Sequence, residues 1–323
     1  MDGQWMRSVI LFLAAVSVAH GQAPSYSLPG EIPSSYLDQG LVAPPQGPAP
    51  GAPFVDLDSL QSDPNYFAPS EPWFYQSLPD GLIYKSYLAG EKESRLSAHI
   101  IQEKDDGWLW DATLGGRIGI FRYGNGDRVR PQGFQFDVEG SAQVRLDIPE
   151  NVDVRSVDFR GGFLGTYSDG PGAWKFGYYH LSSHLGDEFL LDYPNYPRLN
   201  FARDCLILGY SHYFRPEWRL YGEAAWAFYT DVSQPWEFQF GTEWAPAGPT
   251  GPRGAPFAAV NAHLRQELDF SGNLVVQAGW AWRGDQNSHL LRAGVHYYNG
   301  LSPQYSFYQY FEQQVGFGLW YDY

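Results

Sequence analysis

The chain of 323 residues carries a formal net charge of −15 at pH 7 and has one cysteine, Cys205. This negative charge, without a basic stripe, excludes binding to a phosphate backbone, so no nucleic-acid partner is expected. The single cysteine excludes an internal disulfide framework. The 36 glycines, 24 prolines and 17% aromatic residues, beside only 2 methionines, favour β structure.

The amino-terminal region predicts export. Residues 1–21 have the pattern of a secretory signal peptide, with Arg7 ahead of an apolar run and small residues at the end. That run has about half of the 20 apolar residues that a membrane-spanning helix needs. Residues 22–66 form a Pro- and Gly-rich linker. Residues 67–93 are a lead-in segment that either contains a short strand or tucks against the following domain, residues 94–323.

Strict alternation of apolar and polar residues begins near residue 94. In GFQFDVEGSAQVRLD, residues 133–147, the apolar side chains share one face of a strand and the charged side chains share the other. Turn sequences such as GNGD and DFSGN separate successive segments of this kind. The predicted strands lie near 94–103, 108–123, 133–147, 154–168, 172–184, 200–214, 217–230, 235–246, 256–269, 273–284, 289–299 and 313–323.

The aromatic residues decide which architecture these strands build. They lie on the apolar faces, mainly toward strand ends, as in the interfacial girdles of membrane barrels; examples are Trp236, Trp244, Trp280, Trp282, Tyr321 and Tyr323. We therefore predict an all-β protein, an antiparallel membrane β-barrel of about twelve strands. It would lie among outer-membrane lipids, in the outer membrane of a Gram-negative-type bacterium. A secreted sandwich or soluble barrel, with a carbohydrate-binding role, is the alternative.

The last strand, QQVGFGLWYDY, ends on an aromatic residue. An apolar or aromatic side chain stands at every second position, namely Val315, Phe317, Leu319, Tyr321 and Tyr323. The pattern resembles the assembly signal of outer-membrane barrels, which implies the barrel-assembly machinery as a partner; plain edge-strand alternation is the alternative. If residue 323 lies at the periplasmic end, the loops 185–199 and 300–312 are external.

A candidate catalytic pair lies in YYHLSSHLGDEF, residues 178–189. His180 and Ser182 are two residues apart on one face of a strand, and a histidine base beside a serine is the minimum for nucleophilic acyl transfer. The stretch is similar to the His-x-Ser motif of outer-membrane lipid hydrolases, which implies a lipid-facing site. Those hydrolases place an orienting Asn or Glu about a dozen residues after the serine, where this chain has Pro194. The substitutes considered are Asp187, Glu188, Asp192, Asn195 and Asn200.

Two other interpretations concern the same stretch. A metal site from His180, His184, Asp187 and Glu188 is disfavoured, because strand positions four apart are separated by about 13 Å. No metal and no cofactor are predicted. Alternatively, a hydrogen-bonded cluster holds an external loop against the barrel rim. Its members, beside His180, are Ser183, His184, Asp187 and Glu188.

The opposite face of the strands carries the predicted lumen residues. They are Arg117, Asp137, Glu139, Arg145, Asp158, Arg160, Lys175, Arg203, Glu223, Glu237, Glu243, His263, Arg265, Glu267, Arg283 and Arg292. Either they select a small solute, or opposite charges pair across a barrel too narrow to conduct. Their mixed sign favours pairing, since twelve strands enclose limited space.

Several strings together resemble one family of exported bacterial proteins, the domain of unknown function 1207. They are SYLAGEKESR (86–95), LWDATLGGRIGIFRYG (109–124), DVEGSAQVRLD (137–147), YYHLSSHLGDEF (178–189), NAHLRQELDF (261–270) and GLWYDY (318–323). The resemblance covers about residues 70–323 and implies a membrane barrel without assigning an activity. The sequence thus favours a noncatalytic envelope protein, structural or a narrow solute path. The alternative is a lipid hydrolase with Ser182 as nucleophile and His180 as base. Enzymatic activity and oligomeric state stay open.

Overall fold

A computed structural model of the protein describes residues 72–284 and 289–323. The predicted signal peptide and linker lie outside these residues. Within them are one short helix, α1 (Asp187–Asp192), two 3₁₀ turns (Gln266–Leu268 and Tyr305–Phe307), and thirteen strands. The strands are β1 (Phe74–Ser77), β2 (Leu96–Glu103), β3 (Gly107–Gly124), β4 (Gly133–Asp147), β5 (Asp153–Asp169), β6 (Gly172–Leu185), β7 (Phe201–Arg215), β8 (Trp218–Thr230), β9 (Trp236–Trp244), β10 (Ala255–Arg265), β11 (Ser271–Arg283), β12 (Leu290–Leu301) and β13 (Phe311–Asp322).

Strands β2 to β13 form one closed antiparallel barrel. Each strand pairs with its sequence neighbours, and the last strand, β13, pairs with the first, β2, in a register that sets Leu96 opposite Tyr321. The twelve predicted strands are therefore confirmed. One boundary differs by more than two residues: the predicted strand 256–269 ends at Arg265, and Glu267 lies on the following 3₁₀ turn.

The barrel is apolar outside and polar inside. Its exposed side chains include Ile100, Ile118, Phe136, Phe163, Phe176, Leu208, Phe240, Val295 and Phe317. Buried inside are charged residues, among them seven strand arginines that are at most 2% exposed: Arg117, Arg122, Arg145, Arg203, Arg219, Arg265 and Arg292. A soluble sandwich or barrel would have the opposite arrangement, so that alternative is wrong. A closed barrel with an apolar exterior crosses the outer membrane with its strands.

The lead-in region contains both a short strand and a tucked segment. Strand β1 pairs with the last residues of β3, with Phe74 opposite Gly124, whereas β2 pairs with the first part of β3. The two strands therefore lie one after the other along the same edge of β3. Between β1 and β2 the chain enters the lumen. These residues, 78–95, are here named the inner segment. Its residues Tyr84, Tyr87 and Ala89 are fully buried.

No helix among the described residues is long and apolar enough to cross a membrane.

Candidate functional site

The outer face of β6 carries a polar patch near its junction with α1. Alternation along the strand buries Lys175, Tyr179 and Ser183 inside the barrel. The residues between them therefore point outward, and these are Trp174, Phe176, Tyr178, His180 and Ser182. This agrees with the lipid-facing register that the sequence predicts for the His-x-Ser pair.

Strand β7 supplies a carboxylate to this patch. His180 and Asp204 are register partners on β6 and β7, and Nδ1 of His180 lies 2.9 Å from Oδ1 of Asp204. The hydroxyl of Tyr178 donates to the same oxygen at 2.5 Å. An ionised carboxylate only accepts, so Nδ1 of His180 carries the proton and Nε2 is left as an acceptor. The imidazole is thus held in the tautomer that a general base requires.

Ser182 completes the arrangement. It lies two residues beyond His180 on the same face, so their Cα atoms are separated by about 6.6 Å. Its register partner on β7 is Ala202, whose small side chain leaves the hydroxyl uncovered on that side. A serine, a histidine and a carboxylate bound to that histidine are the groups that nucleophilic acyl transfer needs.

Sequence reasoning missed Asp204 because it sought the third residue in the loop after Ser182. Asp187 and Glu188 instead lie exposed in the first turn of α1. Asn200 donates to Asp231 at 2.7 Å. The signal that could have found Asp204 is its position on the lipid-facing side of β7, where the other residues include Leu206, Leu208 and Tyr210.

The predicted polar loop cluster is divided. Ser183 points into the barrel, where its Oγ lies 2.7 Å from Oγ of Ser306, whereas His184 points outward. Adjacent strand residues face opposite sides, so they cannot share one cluster. The loops are instead joined by aromatic packing, because Phe189 of α1 meets Phe307 edge-on at 5.3 Å.

The predicted lumen residues do point inward, and most of them pair. Arg145 bridges Asp111 at 2.6 Å and Glu312 at 2.8 Å. The remaining pairs are Arg117–Asp137, Arg160–Glu139, Lys175–Glu223, Arg203–Glu237, His263–Glu237, Arg219–Glu243, Arg265–Glu267 and Arg292–Asp322. Asp158 pairs with Lys92 of the inner segment. Arg283 donates to the carbonyl oxygen of Pro246 at 3.0 Å.

Several of these side chains also hold the inner segment. Arg219 donates to the carbonyl oxygens of Lys85 and Ser86, and Arg292 donates to that of Leu88. The inner segment makes no helix or sheet, so its carbonyl groups need such donors inside the barrel. The charged side chains therefore bind the inner segment as well as one another. The alternation of apolar and polar residues along the strands could not predict this contact with the inner segment.

The residues of the predicted assembly signal lie on the outer face of β13. Val315, Phe317 and Leu319 are more than half exposed. Tyr321 and Tyr323 contact each other edge-on, with ring centroids 5.4 Å apart. Recognition of this strand by the barrel-assembly machinery stays a prediction.

Among the described residues, one group has the composition and spacing of a metal site. It consists of Glu91, His99 and His296, inside the barrel. These residues are far apart in the sequence, so no motif spacing indicated them.

The chain is similar to several solved structures, each at low sequence identity. The chain is similar to outer membrane phospholipase A from Escherichia coli, with 11% identity, a TM-score of 0.46, and coverage of 74% of this chain and 93% of that chain. For the outer membrane phospholipase dimer of Salmonella typhi with bound calcium, the identity is 9%, the TM-score is 0.46, and the coverage is 74% of this chain and 91% of that chain. For the KdgM porin, the identity is 10%, the TM-score is 0.39, and the coverage is 71% of this chain and 99% of that chain.

No curated protein matches the chain. The family of proteins of unknown function DUF1207 matches residues 68–323, which include all thirteen described strands and the inner segment. The resemblance predicted from the sequence is thereby confirmed: this outer-membrane β-barrel belongs to the DUF1207 family.

Proposed function

We propose that the protein is a hydrolase of the acyl esters of outer-membrane lipids, with Ser182 as nucleophile, His180 as general base and Asp204 as the residue that orients His180. The observation that carries this proposal is the 2.9 Å contact between Nδ1 of His180 and Oδ1 of Asp204, beside a serine on the same outward face. A charged side chain on a lipid-facing surface costs free energy, by about 0–1 kcal/mol near the interfaces and more toward the bilayer centre. A catalytic use would account for polar groups at these positions.

The reaction would follow from these groups. His180 Nε2 takes the proton of the Ser182 hydroxyl as its oxygen attacks the ester carbonyl carbon. The same imidazole then returns the proton to the departing alcohol, which leaves an acyl-serine. Water attacks the acyl-serine with the proton again passing to His180, and the products are a fatty acid and free Ser182. Asp204 stabilises the imidazolium that forms in each half of the cycle.

The outer wall below the patch offers a surface for the acyl chain. A shallow apolar depression of about 420 Å³ is lined by residues that include Phe136, Phe176 and Leu208. Phe176 lies four residues from His180 on the same face, a distance of about 13 Å along the strand. An acyl chain lying along β6 would therefore have its ester near His180 and Ser182 and its tail in this depression.

The test is release of fatty acid from phospholipid in mixed micelles by the purified, folded barrel. Ser182→Ala and His180→Ala should each lower the rate by about 10³-fold or more, and Asp204→Asn by about 10²–10⁴-fold. His184→Ala is the matched control, because His184 is the next outward residue on β6 but lies beyond the triad. A fluorophosphonate should label Ser182, identified by mass spectrometry. Hydrolysis unaffected by Ser182→Ala would overturn the proposal.

A structural role without catalysis is the second candidate. It is favoured by the interior of the barrel, where the inner segment and paired charges leave cavities of about 20 Å³ and 50 Å³. Those volumes hold a few water molecules, whereas a cavity of about 290 Å³, lined by residues that include Arg145, Glu312 and Phe307, is larger. Absence of hydrolysis and of labelling in the wild-type protein, together with envelope defects on deletion, would support this second role.

A further inference from the structure

Three residues from distant parts of the chain converge inside the barrel. Glu91 belongs to the inner segment, His99 to β2 and His296 to β12, and their ligand atoms all lie within 4.8 Å of one another. The two imidazole rings are stacked, with centroids 4.8 Å apart and an interplanar angle of 19°. None of them belongs to the Ser182 patch on the outer wall.

The two histidine rings come close because the strand between them, β13, has glycines at the positions beside them. Strand β13 separates β2 from β12, so the two backbones are about 10 Å apart. His99 is paired with Gly318 of β13, and His296 is paired with Gly316. A Cβ atom on Gly318 would lie 2.7 Å from Cδ2 of His99, so glycine is required for the rings to approach.

One imidazole nitrogen of this group is buried without a partner. His99 is 7% exposed, and its Nε2 has no hydrogen-bond partner within residues 72–284 and 289–323. Leaving such an atom unpaired costs about 1–3 kcal/mol. Nε2 of His296 lies 4.0 Å from Oε1 of Glu91, beyond hydrogen-bond distance. A cation between these atoms would satisfy all of them at once.

The positive charges nearby are partly neutralised by one carboxylate. The nearby Arg95 and Arg292 are both paired with Asp322, at 2.9 Å and 2.6 Å. Nδ1 of His296 faces the amide nitrogen of Gln277 at 3.3 Å, and the amide oxygen accepts from Arg292 at 2.9 Å. Binding of a metal by Nε2 of His296 would require this amide to turn, with Arg292 still held by Asp322. Glu91 also helps to line the 20 Å³ cavity, which has room for a water molecule.

We propose that Glu91, His99 and His296 bind a divalent transition-metal ion of the Zn²⁺ type, which fastens the inner segment to the barrel wall. Two imidazoles and one carboxylate are a ligand set suited to such ions. Ligands about 2.0–2.2 Å from Zn²⁺ are separated by about 3.4 Å, so the three side chains would close in by about 1 Å. The site joins β2, β12 and the inner segment, elements that no sequence motif relates.

The test uses the folded full-length barrel in detergent after treatment with a chelator. Calorimetric titration with Zn²⁺ alone should show one high-affinity ion per chain, and Co²⁺ should give the visible absorption of a tetrahedral site. His99→Ala, His296→Ala and Glu91→Gln should each weaken binding by about 100-fold or more. His263→Ala is the matched control, since His263 is another inward histidine, 3.4 Å from Glu237, and should bind as the wild type does.

Zn²⁺ should also raise the temperature at which the barrel unfolds in a heat-dependent gel-mobility assay, and the Glu91→Gln variant should lose that rise. Because Glu91→Gln conserves size, it tests the site even if a histidine variant folds poorly. High-affinity binding that persists in Glu91→Gln and in both histidine variants would assign the ion to other residues and overturn the proposal. Absence of high-affinity binding to the wild type would overturn it as well.

Discussion

Tyr87 of the inner segment stacks on Tyr221 of β8, with ring centroids 3.9 Å apart and ring planes at 11°. The hydroxyl of Tyr87 also donates to Glu223 at 3.0 Å and contacts the hydroxyl of Tyr84 at 2.8 Å. One side chain thus contributes ring packing and hydrogen bonds at the point where the inner segment meets the wall. The inner segment is a packed part of the barrel interior.

Tyr87→Ala should lower the free energy of unfolding by about 3–5 kcal/mol, because it leaves a cavity at a fully buried position. Denaturant titration in lipid vesicles, followed by tryptophan fluorescence, measures this. Tyr75→Ala is the control: Tyr75 is 72% exposed and contacts the rings of Phe121 and Tyr123, so its loss should cost only about 1 kcal/mol. Equal effects of the two substitutions would contradict the buried role of Tyr87.

Arg145→Ala should be among the most destabilising charge substitutions, by about 3–5 kcal/mol, because it strands the carboxylates of Asp111 and Glu312 in the lumen. Replacing both carboxylates with amides in the Arg145→Met background should recover part of the loss. Arg128→Ala provides the comparison, since the Arg128 and Asp80 side chains are 53% and 69% exposed, and it should change stability by at most about 1 kcal/mol.

Removal of the inner segment should open a path through the barrel. Replacing residues 79–93 with a short Gly-Ser linker should give stepwise currents in planar bilayers, whereas the wild type should give none of similar size. The physical reason is that the segment itself carries Lys92 and the buried rings of Tyr84 and Tyr87 into the lumen. Deleting residues 22–66 is the control and should leave conductance unchanged. If the wild type already conducted as much as the variant, the segment would not obstruct the lumen.

Lys85 should make stability depend on pH. Burial, and then the charge of Arg283, holds the pKa of Lys85 well below its ordinary value, and its Nζ has no hydrogen-bond partner in the part of the chain that the structure describes. Between the folded pKa and the ordinary value, the unfolded chain binds one more proton than the folded one. The free energy of unfolding therefore rises with pH across that window.

Lys85→Met should remove this slope and stabilise the protein at neutral pH. Denaturant titrations at a series of pH values, compared with the exposed Lys104→Met, would measure it. An unchanged slope in Lys85→Met would show that another group causes the pH dependence.

The strands were predictable because lipid imposes a simple rule on them. Most residues at every second position of a lipid-facing strand are apolar, so Val315, Phe317 and Leu319 stand out in the sequence, and they are exposed in the structure. The inward positions obey no such rule. Phe257 and Ala259 point inward with Leu88 and Ala89 of the inner segment, in an apolar cluster that the expectation of a charged lumen did not include.

The candidate site was only half predictable for a related reason. His180 and Ser182 share one strand, and their common face follows from alternation alone. Asp204 joins them through the register between β6 and β7, which are connected by a loop that contains α1. Pairing across such a loop is not encoded by spacing, so the sequence could not tell which acidic residue would face His180. The cluster of Glu91, His99 and His296 forms only when the whole barrel closes, so the sequence alone could not predict it.

The position of the inner segment in the chain has a consequence for unfolding rates. It ends at Arg95, directly before Leu96, the residue that starts the β2–β13 seam. The segment is thus tethered to the seam strand itself. Its other end is tied to the same end of the barrel, where β1 pairs with the last residues of β3. Leaving the lumen would break the buried hydrogen bonds and ring contacts of the segment together, so its release is expected to be slow.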